Sequence, residues 1–156
     1  MEFRATHRFS APPDAVARVL ADPHFYEQLK LPNLALLDAA SRAEGDVVLH
    51  YEFKGSLDPL ARRLLGGERL TWTQEVHLDG AAGGSLEFRA EANPRLLHGG
   101  ASFALEVGAE GGTFRRLYGE LVVAVPGFGG MAERRIVPGI LSRLDVEAAA
   151  LQQQLA

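Results

Sequence analysis

Hydrophobic and polar residues alternate along most of this chain, and the period changes chiefly near its two ends. Glu2 to Phe9 puts Phe3, Ala5, His7 and Phe9 on one face and Glu2, Arg4, Thr6 and Arg8 on the other, the pattern of a half-buried strand. Residues 34–41 and 45–54 predict two more strands. In the second, Val47, Leu49, Tyr51 and Phe53 share a face opposite Asp46, His50 and Glu52. Residues 68–79 form a long strand that groups Leu70, Trp72, Gln74, Val76 and Leu78. Leu86, Phe88 and Ala90, then Leu97, Ala101, Phe103, Leu105 and Val107, give the inward faces of the next two strands. Residues 113–125 make the last, with Arg115, Leu117, Gly119, Leu121 and Val123 inward. Short turn-like joints connect the later strands, so the sheet is expected to be antiparallel.

Helical spacing appears after the first strand and at the end. Ser10 suits a helix cap, Pro12 and Pro13 its first turn, and Val16, Val19 and Leu20 its buried stripe. Asp22-Pro23 repeats the start signal for a second short helix carrying Phe25, Tyr26 and Leu29. Residues 57–65 also look helical, with Gly66-Gly67 as a stop. After the breaker cluster Pro126-Gly127-Phe128-Gly129-Gly130, a long helix groups Val137, Ile140, Leu141, Leu144, Ala148, Leu151 and Leu155 at steps of three and four. Glu133, Arg134, Arg143, Glu147, Gln152 and Gln153 are expected mostly on its other side. Pro138-Gly139 is expected to bend or break it, because proline removes a backbone bond and clashes with the preceding turn.

The expectation is therefore one α+β domain over residues 1–156: a curved seven-stranded antiparallel sheet gripping a long C-terminal helix, with two short helices after the first strand. A chain of 156 residues that is 47% hydrophobic has enough apolar material for one such core. A net charge of −4 without a basic block argues against nucleic acid. The absence of cysteine excludes disulfides and thiol chemistry. No apolar run is long enough to span a bilayer, and the charged, alternating N-terminus does not read as a signal peptide, so a cytoplasmic location is expected.

The order strand, helix, helix, six strands, long helix resembles the helix-grip superfamily, which includes the START lipid-transfer domains, the Bet v 1 allergens and the polyketide cyclases. Ser10-Ala11-Pro12-Pro13-Asp14-Ala15-Val16 and Ala21-Asp22-Pro23-His24-Phe25-Tyr26 look like that superfamily's opening. The chain is most similar to its uncharacterised bacterial members. The glycine-rich loop of Bet v 1 has no counterpart, since residues 41–45 hold one glycine. The resemblance implies a cavity between sheet and helix that takes lipids, polyketides, sterols or hormones, with catalysis in some members.

Within that frame, Tyr51, Phe53, Trp72, Phe88, Phe103 and Arg115 from the sheet and Val137, Ile140 and Leu144 from the helix are the expected ligand-binding set. The expected ligand is a small apolar or amphipathic molecule. Gln74 and Arg115 are the polar residues on otherwise apolar faces. Arg115 either orients a ligand headgroup or snorkels to water from the strand end. His7, on the apolar face, is either a satisfied core histidine or a general base, and Tyr51 is the other candidate acid or base. His24, His50, His77 and His98 show no metal-ligand spacing, and no serine sits in a nucleophile elbow. Gly127-Phe128-Gly129-Gly130 lacks the Lys-Ser/Thr of a phosphate loop. Arg62-Arg63 and Arg134-Arg135 read as solvated faces. No cofactor or metal is expected. Three readings remain: a non-catalytic binding protein, a cyclase- or dehydratase-type enzyme using the same cavity, and a closed-core interaction module.

Overall fold

The structure is a computed structural model that describes residues 1–43, 45–56, 59, 62 and 69–156. The chain runs β1 (Glu2–Phe9), α1 (Pro13–Leu20), α2 (Pro23–Glu27), β2 (Leu34–Ala43), β3 (Asp46–Phe53), β4 (Thr71–Leu78), β5 (Gly83–Ala90), β6 (Leu97–Val107), a 3-10 turn (Ala109–Gly111), β7 (Thr113–Val123) and α3 (Gly129–Leu155). The helix expected at residues 57–65 lies outside the described residues apart from Pro59 and Arg62. The seven strands form one antiparallel sheet in the order β1-β7-β6-β5-β4-β3-β2. Helices α1 and α2 carry the chain from one edge strand to the other, and the meander from β2 to β7 returns it beside β1. No helix among the described residues is long and apolar enough to cross a membrane.

The alternation places the core on one face of this sheet. Phe3, Val47, Leu49, Tyr51, Val76, Leu86, Phe103, Leu105, Leu117 and Leu121 are buried there, under Val16, Leu20, Phe25 and Tyr26 of the short helices and Val137, Leu144, Ala148 and Leu151 of α3. Three phenylalanines on this face stand opposite glycines: Phe3 against Gly119, Phe88 against Gly99 and Phe103 against Gly84. A Cβ on any of these glycines would come within 3.1 Å of the facing ring, so the rings lie across the sheet over the space the glycines leave. Val107, expected inward, is instead 75% exposed, because it forms the last rung of the β6–β7 ladder.

Local signals explain the helix starts, with one correction. Asp22 caps α2, accepting from the His24 N–H at 3.0 Å. Ser10 does not cap α1, whose N-cap is Pro12. Its N–H and hydroxyl instead pair with the Gln152 side chain at 2.9 and 2.7 Å, tying the end of β1 to α3. The start of α3 is pinned to β7, since Glu133 accepts from the Val123 N–H at 2.9 Å.

The helix α3 runs unbroken from Gly129 to Leu155 with Pro138 inside it, so of the bend or break expected at Pro138-Gly139 the break does not occur. Pro138, Gly139 and Arg134 are all solvent-exposed. The carbonyl that proline leaves without its helical partner therefore faces water, which satisfies it without a break. Two polar residues assigned to the outer side of α3 also turn out differently. Glu147 is buried and Arg143 is half-buried. Glu147 lies three residues after Leu144 and four before Leu151, so helical phase puts it on the buried face whatever its polarity.

Candidate functional site

The inward phase of β7 buries Arg115, which is 2% exposed and does not snorkel to water. It lies opposite His7 on β1 and Leu105 on β6. A buried guanidinium needs an anion and hydrogen-bond acceptors to offset its lost hydration. Glu147 of α3 supplies the anion, accepting from Arg115 Nη1 at 2.9 Å. His7 supplies a second acceptor, with its Nδ1 3.1 Å from Arg115 Nη2. Since Arg115 can only donate, His7 Nδ1 carries no proton in this contact. Its proton sits on Nε2, which donates to Asp145 Oδ1 at 2.9 Å. A chain of contacts thus runs from an exposed carboxylate, Asp145, through His7 and Arg115 to the buried carboxylate of Glu147.

A second polar group adjoins it on β3 and β4. Tyr51 is 1% exposed and its ring stacks on Trp72, centroids 5.8 Å apart and planes 26° from parallel. The Arg143 guanidinium comes down from α3 over the Tyr51 ring at 4.7 Å. Gln74, 1% exposed, sits two positions along β4 from Trp72, diagonal to Tyr51. Several polar atoms here are buried without a hydrogen-bond partner among the described residues: the Tyr51 hydroxyl, Gln74 Oε1, Arg143 Nε and Nη2, and Arg115 Nε. Tyr26 closes the cluster from α2, its hydroxyl donating to the Leu20 carbonyl at 2.7 Å.

Charge and burial act on both phenols. Tyr26 is pushed well above the ordinary tyrosine range, first by burial and then by the Glu147 carboxylate and Tyr51. Tyr51 is also raised, chiefly by burial, with Arg143 opposing and Glu147 adding to the shift. Both are therefore neutral O–H groups at physiological pH, suited to donate hydrogen bonds rather than to accept protons.

Of the expected binding residues, Tyr51, Phe103, Arg115, Val137 and Leu144 are buried, and Trp72, Phe88 and Ile140 are half-buried against the core. The half-buried Phe53 lies over Gly55 at the end of β3. Glu147, Arg143, Tyr26 and Asp145 join the cluster without having been singled out in the sequence. Two open hollows lie away from the Arg115–Tyr51 polar cluster. One of about 310 Å³ includes His77, Asp79, Gly84 and Phe103, and one of about 690 Å³ lies at the glycine-rich corner between Val123 and Arg134. Among the described residues no three histidine or acidic side chains gather as metal ligands.

The fold recurs in solved structures of low sequence identity. TTHA0849 from Thermus thermophilus superposes with a TM-score of 0.66 at 17% identity, covering 98% of this chain and 95% of that one. The ZhuI aromatase/cyclase from Streptomyces sp. R1128 gives 0.65 at 18% identity, covering 100% and 96%. Ara h 8.0201 gives 0.52 at 12% identity, covering 97% of each chain. These likenesses place the chain in the helix-grip fold. No curated protein matches the sequence. A family model does match, over residues 4–155, and the chain belongs to that family, described as a protein of unknown function, DUF2505.

Proposed function

We propose that this protein binds a small hydrophobic or amphipathic molecule between the inward face of its sheet and α3, without transforming it. The observation that carries this reading is the Tyr51 hydroxyl and Gln74 Oε1, both buried at the sheet–helix interface without a partner among the described residues. Each such group costs about 1–3 kcal/mol if it stays unsatisfied. A bound molecule that supplies the missing partners, while its apolar part rests on Trp72, Phe88, Phe103, Val137, Ile140 and Leu144, turns that cost into selectivity. The fold shared with an aromatase/cyclase supports a small-molecule ligand. Native mass spectrometry of freshly purified protein tests the reading. The expected result is an adduct of small-molecule mass that dissociates on unfolding. An unliganded spectrum, together with Trp72 emission indifferent to apolar ligands, would leave a closed-core interaction module.

The convergence of Glu147, Tyr26, Tyr51 and His7 favours a second reading, an acid–base enzyme of cyclase or dehydratase type. Against it, Glu147 and His7 are already engaged with Arg115, and both phenols are raised away from the range useful for proton transfer near neutrality. A cyclised product from a poly-β-ketone, formed by the wild type and lost in Tyr51→Phe, would establish the enzyme instead.

A further inference from the structure

We propose that the ligand's polar end is an oxyanion, most simply a carboxylate, and that Arg143 and the Tyr51 hydroxyl receive it. This rests on the binding reading above and adds the charge and the address of the headgroup.

The two arginines of the cluster differ in what answers their charge. Arg115 has Glu147 at 2.9 Å and His7 at 3.1 Å. Arg143 forms no ion pair among the described residues, although its Nε and Nη2 are buried. Glu147 is one helical turn further along α3, but its carboxylate is turned to Arg115. What Arg143 touches is Tyr51, with its guanidinium over the ring face and close enough to the hydroxyl to oppose the rise of the phenol, and a phenol is a weaker partner for a cation than a carboxylate. A half-buried guanidinium without an anion has lost hydration and regained little of it.

The unpartnered atoms also have the right arrangement. Nε and Nη2 form one edge of the guanidinium, where two N–H bonds run parallel and match the two oxygens of a carboxylate. The Tyr51 hydroxyl adds a third donor beside them. Gln74, diagonal to Tyr51, has an amide that can present either its oxygen or its NH2 to the same group. Donors and positive charge outnumber acceptors, so an anion is favoured over an alcohol and a cation is disfavoured. Arg115 in this arrangement positions Glu147 and does not itself receive the ligand.

The test is calorimetric titration of the full chain with dodecanoate and dodecanol, and with 1-naphthoate and 1-naphthalenemethanol as an aromatic pair. In the wild type each acid should bind about tenfold or more tightly than its alcohol, the scale of one charge-assisted contact. Arg143→Met keeps the apolar stem and should remove that preference while shifting alcohol affinity by less than about threefold. Arg143→Lys keeps the charge but not the fork and should retain part of it. Tyr51→Phe removes one donor and gives the same comparison if Arg143→Met fails to fold. Equal losses for acid and alcohol, or no preference in the wild type, would overturn the anion assignment and leave the binding reading standing. If no member of either pair binds the wild type, both fall.

Discussion

Arg115 Nη1 donates to Glu147 Oε1 at 2.9 Å, with only 2% and 5% of the two side chains exposed. The pair joins the last strand to the last helix across the core. Removing one partner strands the other charge away from water, so Glu147→Ala should destabilise the protein by about 3–5 kcal/mol. Replacing both, as Arg115→Met with Glu147→Leu, should cost much less than the sum of the single changes. Urea unfolding of Arg115→Met, Glu147→Leu and the double variant checks this. Additive losses would mean that the contact contributes no coupling.

Pro138 and Gly139 sit in the exposed middle of an unbroken helix. A Cβ at Gly139 would meet nothing within 4 Å. Neither residue has a packing role that alanine would disturb, so the intrinsic helix preferences should show. Pro138→Ala is expected to stabilise by up to about 3 kcal/mol and Gly139→Ala by about 1 kcal/mol. Thermal unfolding measures both. A loss of stability in either variant would show that this helical turn is shaped for something other than stability.

Strand alternation and helical periodicity made most of the fold legible. The inward sets containing Tyr51, Trp72, Gln74 and Arg115 follow from residue parity alone, and the sheet preserves them. In α3, residue type and helical phase point to opposite sides. Charge alone predicts Arg143 and Glu147 on the outer side, but positions 140, 143, 144, 147, 148 and 151 share one broad face. An inward arginine on β7 was itself a signal, since it demands an acid on whatever covers it. Glu147 is the acid in the right phase. The Asp145–His7 contact had no comparable signal, because it depends on how α3 docks on β1 across 138 residues of sequence.

Phe88 lies over Gly99, where a Cβ would come within 2.9 Å of its ring and 2.8 Å of the Glu120 carbonyl oxygen. Gly99→Ala should therefore cost about 1–3 kcal/mol by displacing the ring or opening the β6–β7 pairing. Adding Phe88→Leu should recover part of that loss, since the shorter side chain leaves the glycine free. Chemical denaturation of the four proteins in this cycle measures the coupling. Strict additivity would show that the carbonyl, not the ring, sets the cost.

Two ion pairs on the outer face of the sheet should give the protein opposite pH responses. Glu52 is held at about 2, first by its hydrogen bond from Arg69 and then by Lys54. Arg69 grips both its oxygens, at 2.6 and 2.9 Å. A carboxyl depressed in the folded state contributes stability that is present above its unfolded value of about 4.5 and is lost as the pH falls through about 2. The stability gap between wild type and Arg69→Ala should therefore be full at pH 6 and close in strong acid. His77 is raised above 6.5 by its hydrogen bond from β4 to Asp46 on β3. A histidine raised in the folded state contributes stability that is fully present below 6.5 and is lost as the pH rises through the higher folded value. The gap between wild type and Asp46→Asn should thus be full at pH 5 and close on the alkaline side. Denaturation midpoints of the three proteins across this range decide the matter. Gaps that do not change with pH, or that close in the opposite directions, would show that neither pair is formed as described.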